Sequence, residues 1–330
     1  MPVKGRAGDR LGGPLADSPY LPAESVPEER GPAVGYLMVM AAAALFAVNG
    51  TVSKVALSSG LSSLRLTEAR CAGALAGFAV LVLATRPGAL RTSRREILFL
   101  GAYGVAGVAL VQLFYFLAIE RLEIGVSLLI QYLGPLLVAL WARFVVKERV
   151  RQRLWAALAL CLVGLSIMVD LWGGMSLNGW GVAFSLLSAV MFAASLLLAE
   201  HAVGRRDPIS LLCFGFFFAT GFWTIVQPWW SFPWESLASS VSLLGNLAEA
   251  SLPVWALVLW VIVLGTIVPF LLIVGSLRHL PATRVGIVAM LEPVLGAAVA
   301  FAWLDETLGA LQLVGGAIVL AGISLAQTSR

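Results

Sequence analysis

From residue 35 onward the chain alternates long apolar runs with short polar breaks. Ten runs stand out, at about 35–57, 64–85, 96–119, 123–146, 153–170, 179–201, 209–228, 253–277, 283–303 and 308–326. Most can cross a hydrocarbon layer of roughly 30 Å at 1.5 Å of rise per helical residue. Only helices satisfy their own backbone groups in such a series. The pattern therefore predicts an all-α integral membrane protein with ten transmembrane helices, numbered here as segments 1 to 10. Residues 1–34 are polar and rich in Pro, Gly and charge, which predicts a disordered cytoplasmic tail. No apolar core follows an early basic region, so no cleaved signal peptide is expected.

Composition agrees with this pattern. Of 330 residues, 60% are hydrophobic and 12% charged, about half the charge of a soluble domain. Cys71, Cys161 and Cys213 are scattered through apolar runs, with no metal-ligand or disulfide spacing. With only His201 and His279, neither a metal site nor a hydrolytic triad is expected. No phosphate-binding glycine loop occurs, so direct use of ATP is not expected, and no cofactor is implied.

The cations fall in short clusters, read as topology signals rather than a nucleic-acid surface. Lys4, Arg6, Arg10 and Arg30 lie in the tail, and Arg86, Arg91, Arg94 and Arg95 follow segment 2. Lys147, Arg149, Arg151 and Arg153 follow segment 4, Arg205 and Arg206 follow segment 6, and Arg278 and Arg284 flank the turn after segment 8. The alternate loops hold almost none beyond Arg121 and Arg65. The positive-inside rule then puts both termini in the cytoplasm.

An internal repeat sharpens this layout. Val126 to Gly164 and Arg284 to Gly322 share one register, with Pro135 matching Pro293, Glu148 matching Glu306 and Gly164 matching Gly322, each 158 apart. Phe46-Ala47 likewise matches Phe192-Ala193, 146 apart. The turn after segment 4 is basic (KERVRQR), whereas its counterpart after segment 9 is acidic (LDETLG). Five helices per half is an odd number, so the second half must sit inverted. The expected units are 35–170 and 179–326, two inverted five-helix repeats of the kind secondary transporters use. Trp229, Trp230 and Trp234 suit an interfacial belt, and the stretch after them is expected to form a short amphipathic surface helix.

Ionisable groups at membrane depth cost roughly 2.5–3.5 kcal/mol on insertion scales, so each needs a partner or a cavity. Glu292 lies about 12 Å into segment 9, with Ala289, Gly296 and Ala300 on its face. Arg70 in segment 2 shares a face with Gly73, Ala74 and Gly77, and Lys54 in segment 1 with Gly50, Ala47 and Ala43. On a structural reading, the small residues let helices pack closely and Glu292 pairs permanently with Arg70 or Lys54. On a functional reading, Glu292 exchanges a proton or faces a cationic group, while Arg70 or Lys54 attracts a carboxylate. Asn49, Gln112, Tyr115, Gln131, Tyr132, Ser195 and Thr266 lie at similar depth and are candidates for substrate contact or for hydrogen bonds between helices. Pro135 and Pro293 each remove a helical hydrogen bond and are candidate kinks. Gly73 and Gly77 form a GxxxG pair open to packing within or between molecules, which leaves the oligomeric state undefined.

These residues resemble the drug/metabolite transporter superfamily in its ten-helix form with two EamA-type repeats. The resemblance spans about 35–326 and is carried by FAVNGTVSK, Arg70, AIERLEIGVSLLIQYLGP and LPATRVGIVAMLEPVLGAAVAFAWLDETLGALQLVGGAIVLAG. Within the superfamily, YFLAIERLEIGVSLLIQYLGPLLVAL and LRHLPATRVGIVAMLEP look most similar to the threonine/homoserine exporter branch. The resemblance implies a multi-pass transporter of the plasma (inner) membrane that exports amino acids or related small metabolites, driven by protons or running as a facilitator. Another metabolite or drug class is the alternative substrate. An intramembrane enzyme would need paired acids or histidines at depth, and a scaffold would have no use for Glu292.

Overall fold

The structure, a computed structural model, describes residues 31–171 and 178–328. Most of the tail expected over residues 1–34 lies outside the described residues, as does Trp172. Residues 32–34 already belong to the first helix.

The helices are α1 (Pro32–Leu57), α2 (Ser63–Thr85), α3 (Arg94–Ile119), α4 (Ile124–Phe144), α5 (Gln152–Met168), α6 (Gly179–Val203), α7 (Pro208–Val226), α8 (Val254–Ser276), α9 (Ala282–Leu304) and α10 (Ala310–Thr328). Among the described residues, nine of these are long and apolar enough to cross a membrane. The other, α5, has 17 residues and spans about 25 Å. Asp170, in the left-handed region at φ 52°, lies two residues beyond its end. Polar caps start four of the long helices, with Ser62 accepting from the backbone of Arg65 and Ser93 from that of Glu96. Asn178 accepts from the backbone of Trp180 and Gly181, and Asp207 from Ile209 and Ser210.

Four helices are irregular, and the irregularities come in pairs. Both α3 and α8 carry a wide π-helical stretch, over Tyr103–Leu110 and Val263–Ile267. Helix α4 is interrupted at Tyr132–Leu133, just before Gly134-Pro135. Helix α9 is interrupted at Met290, just before Leu291-Glu292-Pro293. Each proline lacks the N–H that would bond the carbonyl four residues back, and its ring crowds that carbonyl.

The turns after α4 and α9 also match. Lys147 (φ 63°) and Asp305 (φ 58°) are left-handed, and the next residue closes a wide backbone bond. Glu148 N–H donates to Ala142 at 2.9 Å, and Glu306 N–H to Ala300 at 3.4 Å.

Packing joins the two halves of the chain. Helix α1 lies against α8 and α9, α6 against α3 and α4, and α2 against α7 and α8. Helices α5 and α10 form the closest pair, running antiparallel. A Cβ on Gly164 would come within 2.7 Å of the Gly315 carbonyl, and one on Gly322 within 2.9 Å of the Ala157 carbonyl. The Cys161 thiol lies between them, 3.7 Å from the Val319 carbonyl. On α2, Gly73 and Gly77 receive the side chains of Ile262 and Ile267 from α8. That stripe of small residues therefore serves close packing within the chain.

The ends of the bundle differ. At the arginine-rich end Arg86 pairs with Asp207 at 2.6 Å, Arg278 lies 3.9 Å from the same carboxylate, and Arg206 pairs with Glu96. At the other end the long connection between α7 and α8 folds over the bundle. The expected amphipathic helix is not found there. Only Trp234–Ala238 is α-helical, between single 3-10 turns at Trp229–Ser231 and Gly245–Leu247, and a two-stranded antiparallel hairpin follows, β1 (Ser240–Ser242) and β2 (Ser251–Pro253). The reason is local. Leu244 and Gly245 both take positive φ, and Ser242 bonds the turn's own backbone at Leu244 and Ala248. Such bonds compete with a helix. The hairpin docks on the end of α9, where Trp303 donates to the Leu243 carbonyl at 2.8 Å and Asn246 to the Ala302 carbonyl at 3.1 Å. Arg65 ties the connection to α2. Its guanidinium meets Glu68 at 2.7 Å, the Pro228 carbonyl at 3.1 Å and the Ser231 hydroxyl at 2.6 Å.

The closeness of α5 and α10 sets an expectation. Gly315→Ala places a Cβ 2.5 Å from the Gly164 carbonyl and 2.6 Å from the Met168 nitrogen, neither of which can rotate away. A loss of about 1–3 kcal/mol is expected. Gly309→Ala, with nothing within 4 Å, serves as the control. Thermal unfolding in detergent should separate the two; equal midpoints would contradict this packing account.

Candidate functional site

The two interrupted helices bring the site together. Tyr132 caps the first half of α4, and Glu292 lies in the first turn of the second half of α9. The Tyr132 hydroxyl donates to Glu292 Oε2 at 3.0 Å and also lies 3.5 Å from the Ala289 carbonyl. Ala289 is the residue whose carbonyl Pro293 leaves free, so the kink presents a polar group towards the site. Glu292 also lies in the first turn of its half-helix, where the positive dipole end favours an acid.

A cavity of about 460 Å³ opens beside this pair. That volume lies in the range of small-molecule sites. Glu292 and Tyr132 form its floor. Its walls come from α1 (Phe46, Ala47, Gly50), α4 (Ile124, Leu128), α5 (Leu165, Met168) and α9 (Gly296, Ala297, Ala300). Glu123, Glu306 and Gln312 line it towards the end that carries the hairpin. The small faces expected of α1 and α9 thus border open space, and a Cβ on Gly50 or Gly296 would meet nothing within 4 Å.

Beyond the floor the helices close. Val285, Ile287, Val288 and Met290 are fully buried, and Gly286 packs on Pro135 and Leu196. The Ala282 N–H donates to the Glu200 carboxylate at 2.8 Å, so α6 supplies the cap for the start of α9. Glu200, near the end of α6, has this defined structural task.

The other predicted residues divide into groups. Arg70 and Tyr115 are within electrostatic reach of Glu292. Arg70 makes no ion pair with it, and among the described residues it forms no hydrogen bond or salt bridge; its Nε is buried without a partner. Lys54 does not pair with Glu292. It meets Glu306 at 2.7 Å in an exposed salt bridge at the cavity mouth, because a long side chain near the helix end can reach water. Asn49 packs on the α8 π-stretch at Gly265, with its Oδ1 buried and unbonded. Gln112, one turn from Tyr115, also has a buried, unbonded Oε1. Thr266 is spent on its own helix, donating to the Val261 carbonyl at 2.8 Å, a bond that fits the π-stretch. Ser195 packs against Gly107 in the α3 π-stretch. Gln131 precedes the break in α4 and is partly buried. Pro135 and Pro293 both follow breaks.

Sequence reasoning missed Glu68, whose side chain is fully buried beside Arg65. The spacing of three residues between these opposite charges was the available signal. Among the described residues, no group of three or more His, Cys, Asp or Glu side chains is arranged to hold a metal ion.

Comparison with known proteins gives concordant results. The model of the EamA-like transporter family matches twice, over residues 33–170 and 179–328. An uncharacterised transporter of Archaeoglobus fulgidus is 29% identical over 283 residues, covering 84% of this chain and 91% of the relative. The threonine/homoserine exporter RhtA of Escherichia coli K12 is 28% identical over 261 residues, 77% of this chain and 79% of the relative. One crystal structure of a protein superposes with a TM-score of 0.71 over 89% of this chain and 96% of that one, at 17% identity, a likeness of fold alone.

The Tyr132–Glu292 contact can be measured as a coupling. In a double-mutant cycle of Tyr132→Phe and Glu292→Gln, thermal unfolding should give an interaction of about 1–3 kcal/mol, as for a hydrogen bond to a charged group. Additive effects would mean that the two side chains do not meet.

Proposed function

The chain belongs to the EamA-like transporter family, and from that premise we propose that it is a secondary exporter of amino acids or related small metabolites. It is a multi-pass membrane protein. In this reading the substrate binds on the floor formed by Glu292 and Tyr132, and the two halves of the chain expose that floor to each side in turn. The observation that carries the reading is the cavity itself, which ends on a buried carboxylate at the meeting point of two broken helices. Discontinuous helices with free backbone groups at membrane depth are how transporters build binding sites. The amino-acid class rests on the similarity to RhtA, named a threonine/homoserine exporter.

The halves are residues 35–170 and 179–326, inverted relative to one another, with both termini in the cytoplasm. Several pairings support this. The π-stretches fall in the third helix of each half, and the breaks in the fourth. The left-handed turn residues Lys147 and Asp305 are 158 apart, as are Cys161 and Val319, which touch. The charges of the two ends support the orientation, since the arginine-rich end would face the cytoplasm. The cavity then opens outward. The closed inner side is held by α9 packed on α4 and α6, with Glu200 capping Ala282. Alternation would release that cap. Glu292 is the group able to carry a proton between the two states.

Two experiments test this. Proteoliposomes loaded with labelled threonine or homoserine, or with a wider metabolite panel, should show flux with and without a proton gradient. Glu292→Gln should lose flux or coupling while still folding. Absence of both flux and ligand-induced stabilisation across the panel would overturn the reading. The state assignment has its own test. Glu200→Ala should weaken the inner closure, so that Val285→Cys, buried here, reacts faster with a thiol reagent from the cytoplasmic side. An unchanged labelling rate would remove Glu200 from the gate.

A further inference from the structure

The closed inner side and the open cavity can be compared residue by residue. Helices α1 and α6 match at an offset of 146, and α4 and α9 at 158. A contact away from the cavity checks both offsets. A Cβ on Gly35 would lie 2.7 Å from Leu280 and 2.9 Å from His279. One on Gly181, 146 residues later, would lie 2.6 Å from Leu122 and 3.1 Å from Arg121, each 158 residues earlier than its match. The same contact is made once in each half.

On the inner side, a Cβ on Gly286 would lie 3.0 Å from Pro135 and 3.4 Å from Leu196. The counterparts of these three residues are Leu128, Pro293 and Gly50. All three line the cavity. Leucine and glycine have exchanged helices. The inner leucine is on α6 and meets a glycine of α9, whereas the outer leucine is on α4 and the glycine on α1. A Cβ on Gly50 would meet nothing within 4 Å, so the notch for that leucine stands empty. Val138 and Ala139, both buried, likewise correspond to Gly296 and Ala297 of the cavity wall.

The charged groups follow the same correspondence. Glu200 on α6 accepts from the Ala282 N–H at the start of α9 at 2.8 Å. Their counterparts are Lys54 on α1 and Ile124 at the start of α4. A lysine cannot accept an N–H bond, and a helix start disfavours a cation. The residue before Ile124, however, is an acid. Glu123 holds the N-cap position of α4 without a side-chain capping bond, where the matching residue before Ala282 is Pro281. Glu123 lines the cavity and, among the described residues, its carboxylate forms no salt bridge. Lys54 meets Glu306 instead, which lines the same mouth. The counterpart of Glu306 is Glu148, an acid like Glu200, so the inner cap has no rival partner while Lys54 has two acids to choose between.

We propose that Lys54 is the latch of the outer gate: as the cavity closes, it exchanges Glu306 for Glu123 while Leu128 seats in the notch at Gly50 and against Pro293. This latch rests on the transport reading and the inverted halves proposed above. Lys54–Glu306 holds the mouth open, and Lys54–Glu123 holds it shut. Exposed ion pairs are weak, so one can replace the other without trapping either state.

Two cysteine reporters in purified full-length protein test this. Gly296→Cys reads the outer mouth, since position 296 lies on the cavity wall with nothing within 4 Å of its Cβ. Val285→Cys, buried on the inner side, reads the opposite state. The native Cys71, Cys161 and Cys213 are buried. The ratio of the two reaction rates with a thiol reagent measures the balance between outer and inner opening. Glu123→Gln should raise that ratio and Glu306→Gln should lower it, each by about 2- to 5-fold, the scale of an exposed ion pair. In a Lys54→Met background neither substitution should change it. A ratio unmoved by Glu123→Gln overturns the latch. So do shifts in the same direction for both acids, or shifts that persist in Lys54→Met. Proteoliposome flux of labelled threonine and the wider panel, read without the reporters, judges the transport reading separately. Opposite shifts without any flux keep the latch and remove the transport reading, and flux without the shifts does the reverse.

Discussion

A hydroxyl–carboxylate bond between two broken helices governs the centre of this molecule. A helix interrupted in hydrocarbon leaves carbonyls and N–H groups without partners, each costing several kcal/mol unless something polar meets them. Here two breaks, at Tyr132–Leu133 and Met290, face each other and share the remedy. Tyr132 donates to Glu292 and faces the carbonyl that Pro293 frees. Glu292 sits in the first turn of its half-helix, where the positive dipole end favours an acid. Remove either break and the cavity floor becomes an ordinary helix crossing, with no reason for an acid to be there.

Around that centre, polarity is rationed by distance from water. Exposed ion pairs gather at the two ends, where Lys54–Glu306 and Arg86–Asp207 each keep a half-exposed cation. Such pairs contribute little stability, typically below about 1 kcal/mol. Their effect is positional, holding helix ends and turns. In the interior the chain relies on close approach instead. The α5–α10 contact brings carbonyls against glycines, and dispersion with close backbone contact replaces the hydrophobic drive that lipid cannot supply. The result is a rigid α5–α10 pair bordering a cavity with a wall of small, open residues on α1 and α9.

Much of this was legible in the residues. Ten apolar runs gave the helices to within a few positions, since a bilayer imposes length as well as composition. Pro135, Pro293 and Glu292 announced the breaks and the acid, because proline and charge have few uses at that depth. Less legible were features set by what lies opposite. Gly73 and Gly77 read as a seat for a helix of the same chain as easily as for one of another molecule, and only the Ile262 and Ile267 side chains decide it. Lys54 could face inward or snorkel, a choice made by Glu306 from 252 residues away. The connection between α7 and α8 had helical composition, and serine-to-backbone bonds with two positive φ angles turned it into a hairpin.

The single acid remains to be understood in a chain so evenly doubled. Position 134 lies 158 residues before position 292, in the same place before its proline, and it is a glycine. A Cβ there would lie 2.6 Å from the Phe192 ring and 3.2 Å from the Ala189 carbonyl, so the α6 phenylalanine occupies the space an acid would need. The corresponding phenylalanine of the first half, Phe46, lines the open cavity above Glu292 instead. One position is thus filled by a ring while its counterpart borders an open cavity. A second carboxylate at 134 would be buried against that ring with no cavity to hydrate it, at a cost the packing could not offset. One acid at the crossing of the two breaks places a single charge where both halves can reach it, and leaves the other half free to close.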